Sequence, residues 1–140
     1  MKKGRIILII GLLLVVLTFG ILFFNNNKTA TDVLENANFN EKNQSVSIES
    51  IDADTKDIFT LIEIPEETQQ ELIEAFKNAK FKEVKNGSSD YDYRIQITLN
   101  TGYGVYVISD KKLLKIIDTN EYYTIENDNN FFSILNEATK

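Results

Sequence analysis

The sequence predicts an α+β protein: an N-terminal transmembrane helix followed by a small antiparallel sheet, in the order β-β-α-β-β-β-β-α, with helices on one face. Three observations predict it. Residues 6–24 carry no charge, residues 66–80 repeat apolar side chains at helical spacing, and from residue 91 the period switches to two between short polar turns.

The run from Ile6 to Phe24 is interrupted only by Gly11, Thr18 and Gly20. As a helix it would rise about 28 Å, close to the roughly 30 Å hydrocarbon core of a bilayer. Cleaved signals carry shorter apolar stretches that end in small residues. Here Phe23-Phe24 is followed by Asn25-Asn26-Asn27-Lys28, and cleavage after Ala30 would put Lys28 where a small residue belongs. The absence of Cys rules out a lipoprotein anchor. An uncleaved single-pass anchor at 6–24 is therefore expected in the cell membrane. Lys2, Lys3 and Arg5 would hold a stub, residues 1–5, on the cytoplasmic side and place the C-terminal domain outside.

The chain has formal charge −6, of which the first 24 residues contribute +3, so the remainder carries −9. Such a balance disfavours nucleic acid and anionic lipid surfaces as partners. Without Cys the domain must hold together by burial alone.

Residues 25–44 are polar, rich in Asn and without sustained period, and read as a tether, with Thr31 a candidate cap for a short helical turn. The extracytoplasmic domain is expected at 45–140. Val46 and Ile48 alternate with polar residues as a first strand. Ile58, Thr60, Ile62 and Ile64 alternate as a second, joined to the first by the loop 52–57. Pro65 opens a helix with Glu66 and Glu67 in its first turn. Leu72, Ala75, Phe76 and Ala79 form its apolar stripe, which predicts a buried Phe76.

Residues 81–89 read as a linker. Tyr91, Tyr93, Ile95, Ile97 and Leu99 then share one face, and Asp92, Arg94, Gln96 and Thr98 the other. Turns at 100–102, 109–112 and 118–120 separate three further strands. After the polar stretch 127–130, Phe131, Ile134, Leu135 and Ala138 return to helical spacing.

The segments ELIEAFKNAK at 71–80, YRI at 93–95 and YTI at 123–125 resemble the YhfM-like small extracytoplasmic domains of Gram-positive bacteria. The likeness covers residues 46–137 and rests on element order and scattered apolar and Tyr positions. The linker 81–89 lacks the proline expected in that family. The resemblance implies fold and location, and supplies no activity or catalytic residue.

No His and no Cys means no imidazole catalysis, no thiol nucleophile and none of the common zinc sites. No Ser lies in a G-x-S-x-G context, and nothing resembles a phosphate-binding loop. Paired carboxylates could support glycan hydrolysis at a cell wall, but acidic side chains this abundant are more simply a solvated surface. The stretch Asp52-Ala53-Asp54-Thr55-Lys56-Asp57 with Glu63 has a superficial calcium-loop spacing. Lys56 and Asp57 stand where an oxygen ligand and Gly are required, so an acidic hairpin loop is the simpler reading. Thr101-Gly102-Tyr103-Gly104 matches a potassium filter in letters only; its glycines suit a tight turn and close strand approach.

The six tyrosines cluster between residues 91 and 123. Sheet propensity and core packing explain most of them. Tyr106 and Tyr122 are the candidates for an exposed surface, since Tyr combines apolar area with a hydroxyl. Arg94, on the polar face, joins them through the carboxylate-matching fork of its guanidinium. The expected function is a membrane-anchored interaction or regulatory module, with no catalytic residue and no cofactor. Its partner would be a membrane protein or peptide outside the cell. The alternatives are a carboxylate-dependent wall enzyme or a divalent-cation-binding domain.

Overall fold

The computed structural model describes residues 9–18, 27–126 and 130–140. Residues 9–18 are helical with exposed apolar side chains. Among the described residues no helix is long and apolar enough to cross a membrane. The expected transmembrane helix at 6–24 is therefore corrected. With it go the single-pass topology and the cell-membrane location with an extracytoplasmic domain. An uncharged apolar run reports how apolar a segment is, which alone does not establish a membrane-spanning helix. The stub at 1–5, the remaining parts of the predicted anchor, and 127–129 of the predicted polar stretch lie outside the described residues.

The remainder fits the α+β class. A short helix α1 (Ala30–Val33) is followed by β1 (Ser45–Ile51), β2 (Phe59–Ile62), helix α2 (Glu66–Lys77) and β3 (Phe81–Val84). Then come β4 (Tyr93–Thr98), β5 (Gly102–Ile108), β6 (Leu113–Ile116), β7 (Tyr122–Ile125) and helix α3 (Phe131–Ala138). All seven strands form one antiparallel sheet in the order β2-β1-β4-β5-β6-β7-β3. The chain leaves one edge of the sheet at β2, passes through α2, and returns at the opposite edge as β3.

Strand alternation divides the sheet into two faces. Val46, Ile48, Ile95, Ile97, Val105, Val107, Leu114, Ile116, Phe81 and Tyr123 point to the helices and are buried. α2 contributes Leu72, Ile73 and Phe76, and α3 contributes Phe131, Phe132 and Leu135. Phe76 is fully buried, as its place on the stripe predicts, with its ring 4.9 Å from Phe81 and 5.7 Å from Phe131. Pro65 stands immediately before α2, where its missing N–H costs nothing. Asn120, at φ 62°, supplies the left-handed residue in the turn between β6 and β7.

Two segments differ from expectation. Residues 81–89 were expected as a linker, but Phe81–Val84 pair with β7 and make the sheet seven-stranded rather than six-stranded. A four-residue strand with Lys82 and Glu83 at its centre carries too little alternation to be seen alone. Second, part of the stretch expected as a tether is packed: Ala30, Val33 and Leu34 are each buried in the core. The Thr29 N–H donates to the Asp32 carboxylate at 2.7 Å, so the cap is Thr29 rather than Thr31. The bond from the Thr29 hydroxyl, then this one from its N–H, hold the Asp32 carboxyl below its ordinary range. Lys28 exchanges two backbone hydrogen bonds with Phe81, at 2.8 and 2.9 Å.

Candidate functional site

The face of the sheet away from the helices is where the polar half of each strand's alternation falls. Register places one residue from every strand in a single row across it: Leu61, Glu49, Arg94, Tyr106, Lys115, Tyr122 and Val84. The three surface candidates from the sequence, Arg94, Tyr106 and Tyr122, are therefore brought together. Arg94 is directly beside Tyr106, and one strand separates Tyr106 from Tyr122.

Arg94 is held from two sides. Its Nε lies 2.7 Å from a Glu49 carboxylate oxygen, and its guanidinium sits 4.6 Å from the centre of the Phe59 ring. Both side chains of the ion pair remain partly open to solvent. The pair is thus a surface pair of the kind expected, reinforced by a cation–π contact.

Tyr91 joins the row from the loop before β4. The chain bends at Asp92, which accepts a hydrogen bond from the Ser109 N–H, so alternation does not extend back from Tyr93 to Tyr91. Tyr91, expected on the face of Tyr93 and Ile95, lies instead on the opposite one. Its ring stacks on Tyr106 at 4.6 Å with 15° between planes, and its hydroxyl meets that of Tyr122 at 2.9 Å. Lys115 holds its ammonium 5.8 Å from the Tyr91 ring and 5.5 Å from the Tyr122 ring. Burial, then the bond to Tyr122, pushes the Tyr91 phenol above its usual value, so it stays neutral.

Tyr106 and Tyr122 are half-buried as a result, less open than expected. Gly87 presses against Tyr122 from the same loop: a Cβ there would overlap the ring. Gly104 similarly leaves room for Ile117, whose Cδ1 would stand 2.6 Å from an added Cβ.

The row continues into an apolar margin at β2. Ile58 is 48% exposed, Phe59 42% and Leu61 60%. Phe59, Tyr91 and Lys115 were not singled out in the sequence. Phe59 was legible as the off-register apolar residue of its strand, whereas Tyr91 and Lys115 depend on a bend and a nonlocal pairing.

A second polar cluster lies at the opposite edge. The Lys28 ammonium donates to the Tyr123 hydroxyl at 3.0 Å and pairs with Glu83 at 3.1 Å, while Tyr123 donates to Glu121. The bond to Tyr123 holds Lys28 above its ordinary value, and the same hydroxyl holds the Glu121 carboxyl below its own. Burial and the Glu121 bond push Tyr123 upward. A lysine kept charged and a phenol kept protonated are poor bases near neutral pH, so this cluster fastens residue 28 to the sheet.

Two clefts, of about 220 and 270 Å³, lie beside α1, away from the row. Both are smaller than the roughly 300–1,000 Å³ of small-molecule sites. Among the described residues no group of three or more acidic side chains is placed to hold a metal ion. Compared with family models, curated proteins and solved structures, the chain matches none.

Proposed function

We propose that the protein is a non-catalytic interaction module that binds another protein through the open face of its sheet. The observation that carries this reading is the seven-strand row in which Arg94, Tyr106, Lys115 and Tyr122 lie side by side and run into exposed Phe59 and Leu61. Tyr and Arg are the residue types enriched at protein interfaces, because each combines broad contact area with directional polar groups. The Tyr91–Tyr106 stack and the Tyr91–Tyr122 bond fix those rings in advance, which lowers the ordering cost of association. The net charge of −6 makes nucleic acid a poor partner.

A photo-crosslinking residue placed at Ser47, exposed on the open face, and separately at Glu71, exposed on α2, tests the reading. The expected outcome is one stoichiometric protein adduct from position 47 and none from position 71. Equal labelling from both positions, or no adduct from either, would contradict it. Release of glycan fragments by the purified protein would replace the module with a carboxylate enzyme.

A further inference from the structure

Among the described residues, strand β2 ends the sheet order and pairs only with β1. The Asp52 N–H donates to the Ile58 carbonyl at 2.9 Å, and this bond sets the alternation along the ladder. In an antiparallel pair bonded and non-bonded residue pairs alternate, so Thr60 and Ile62 face β1 with their backbone groups. Phe59 and Leu61 therefore turn their N–H and C=O groups outward, away from the sheet. Their side chains are exposed as well.

Natural sheets usually guard such an edge with Lys, Pro or a covering segment. Residues 58–62 read IFTLI and contain no guard. Acidic residues crowd both ends: Asp52, Asp54, Asp57, Glu63, Glu66 and Glu67 lie within 52–67, against Lys56 alone.

We propose that this edge takes an extended segment of another protein, apolar at its centre and with Lys or Arg at both ends, as an eighth strand of the sheet. The inference rests on the interaction-module reading and names the partner's chemistry. Backbone groups of Phe59 and Leu61 supply the hydrogen bonds, exposed side chains of the same residues meet the apolar positions, and the flanking carboxylates select the cations. A second copy of this chain is the poorer occupant. Antiparallel pairing of two β2 strands through Phe59 and Leu61 sets Asp57 opposite Glu63 twice, a like-charge juxtaposition that opposes association.

The test uses the full chain with two acetylated peptides, KTVTVTK and ETVTVTE, whose end residues fall opposite Asp57 and Glu63 when the valines face Phe59 and Leu61, read by NMR titration and amide exchange. The expected result is that the lysine peptide binds at least tenfold more tightly than the glutamate peptide, weakens with added salt, and protects the Phe59 and Leu61 amides. Leu61→Pro removes an outward N–H without removing a bond to β1, and is expected to lower affinity at least tenfold. Glu63→Lys leaves the backbone untouched and is expected to weaken the lysine peptide several-fold, so the proposal stays testable should the proline variant lose its fold.

Equal affinity for both peptides, no binding of either, or binding without protection at Phe59 and Leu61 would overturn the proposal. Perturbation confined to Tyr106, Lys115 and Tyr122 would overturn the edge site while leaving the open-face reading intact. Sedimentation showing a dimer that Leu61→Pro dissociates would assign the edge to a second copy instead.

Discussion

Strands β2 and β3 are each four residues long and each ends the sheet, yet they meet solvent differently. At β3 the outward backbone groups of Phe81 are taken by Lys28, the ring is fully buried between Phe76 and Tyr123, and Lys82 and Glu83 carry charge along the strand. At β2 the outward groups of Phe59 and Leu61 have no strand beside them among the described residues, and both side chains are exposed. A sheet needs its edges satisfied or guarded, and here only one of them is. The difference separates an edge built for stability from an edge left available.

The largest effect is expected from Phe81→Ala. Deleting a fully buried ring should cost about 3–5 kcal/mol, much of the stability of a small domain, whereas Phe59→Ala at the open edge should cost about 1 kcal/mol or less. Chemical denaturation of both variants measures the contrast. Similar losses would mean that the two edges are equally structural.

Next comes the loop that covers the tyrosine end of the row. Gly87→Ala drives a methyl group into the Tyr122 ring, and the displacement needed should cost about 1–3 kcal/mol. It should also break the Tyr91–Tyr122 bond, visible as a lowered Tyr91 phenol pKa in an ultraviolet titration. An unchanged melting temperature would show that the loop yields without consequence.

Lys28→Ala removes the side-chain bonds to Tyr123 and Glu83 but leaves the two backbone bonds in place, so about 1 kcal/mol is expected. The same corner has a pH signature. The Glu121 carboxyl is held below its ordinary 4.5, so its stabilisation is present above that pH and is lost as pH falls through the lower folded-state value. Lys28 is held above 10.5, so its contribution persists below that pH and is lost only at higher pH. Neither group titrates between pH 6 and 9. Melting temperature against pH should therefore be flat there with respect to this corner and fall below about 4.5. The acid fall should be shallower in Glu121→Gln.

The smallest effect is expected at Arg94. Lys keeps the charge beside Glu49 and loses only the planar fork over Phe59, so Arg94→Lys should change stability by about 0–1 kcal/mol. Loss of crosslinking from Ser47 in that variant, with the fold retained, would place the guanidinium at the contact with the partner.

Period alone made much of this architecture legible. The turns after β4, β5 and β6 and the buried stripe of α2 follow from local sequence, and alternation placed Arg94 correctly away from Ile95. What escaped depended on partners far along the chain. β3 becomes a strand only because β7 and Lys28 flank it, and α1 is four residues long, too short to display a period. The bend at Asp92 moved Tyr91 across the sheet, and the row itself required the register of six strand pairs. The apolar run at 6–24 misled for another reason: apolar composition was taken as sufficient for a spanning helix, and among the described residues no helix is long and apolar enough.

The crossover that carries the chain from β2 through α2 to β3 also has a kinetic consequence. β4 to β7 are joined by short turns, so each pairing closes a small loop, but Phe81 must find Ile125 in one direction and Lys28 in the other. Loop-closure entropy favours the meander first and the long-range pairings, β1 with β4 and β3 with β7, later. Phe81→Ala should then act by hastening unfolding rather than by slowing folding, a distinction that stopped-flow measurements across denaturant concentration resolve. A slowed folding arm would mean that β3 docks early. The better-covered edge is then among the last parts of the molecule to assemble and among the first through which it comes apart.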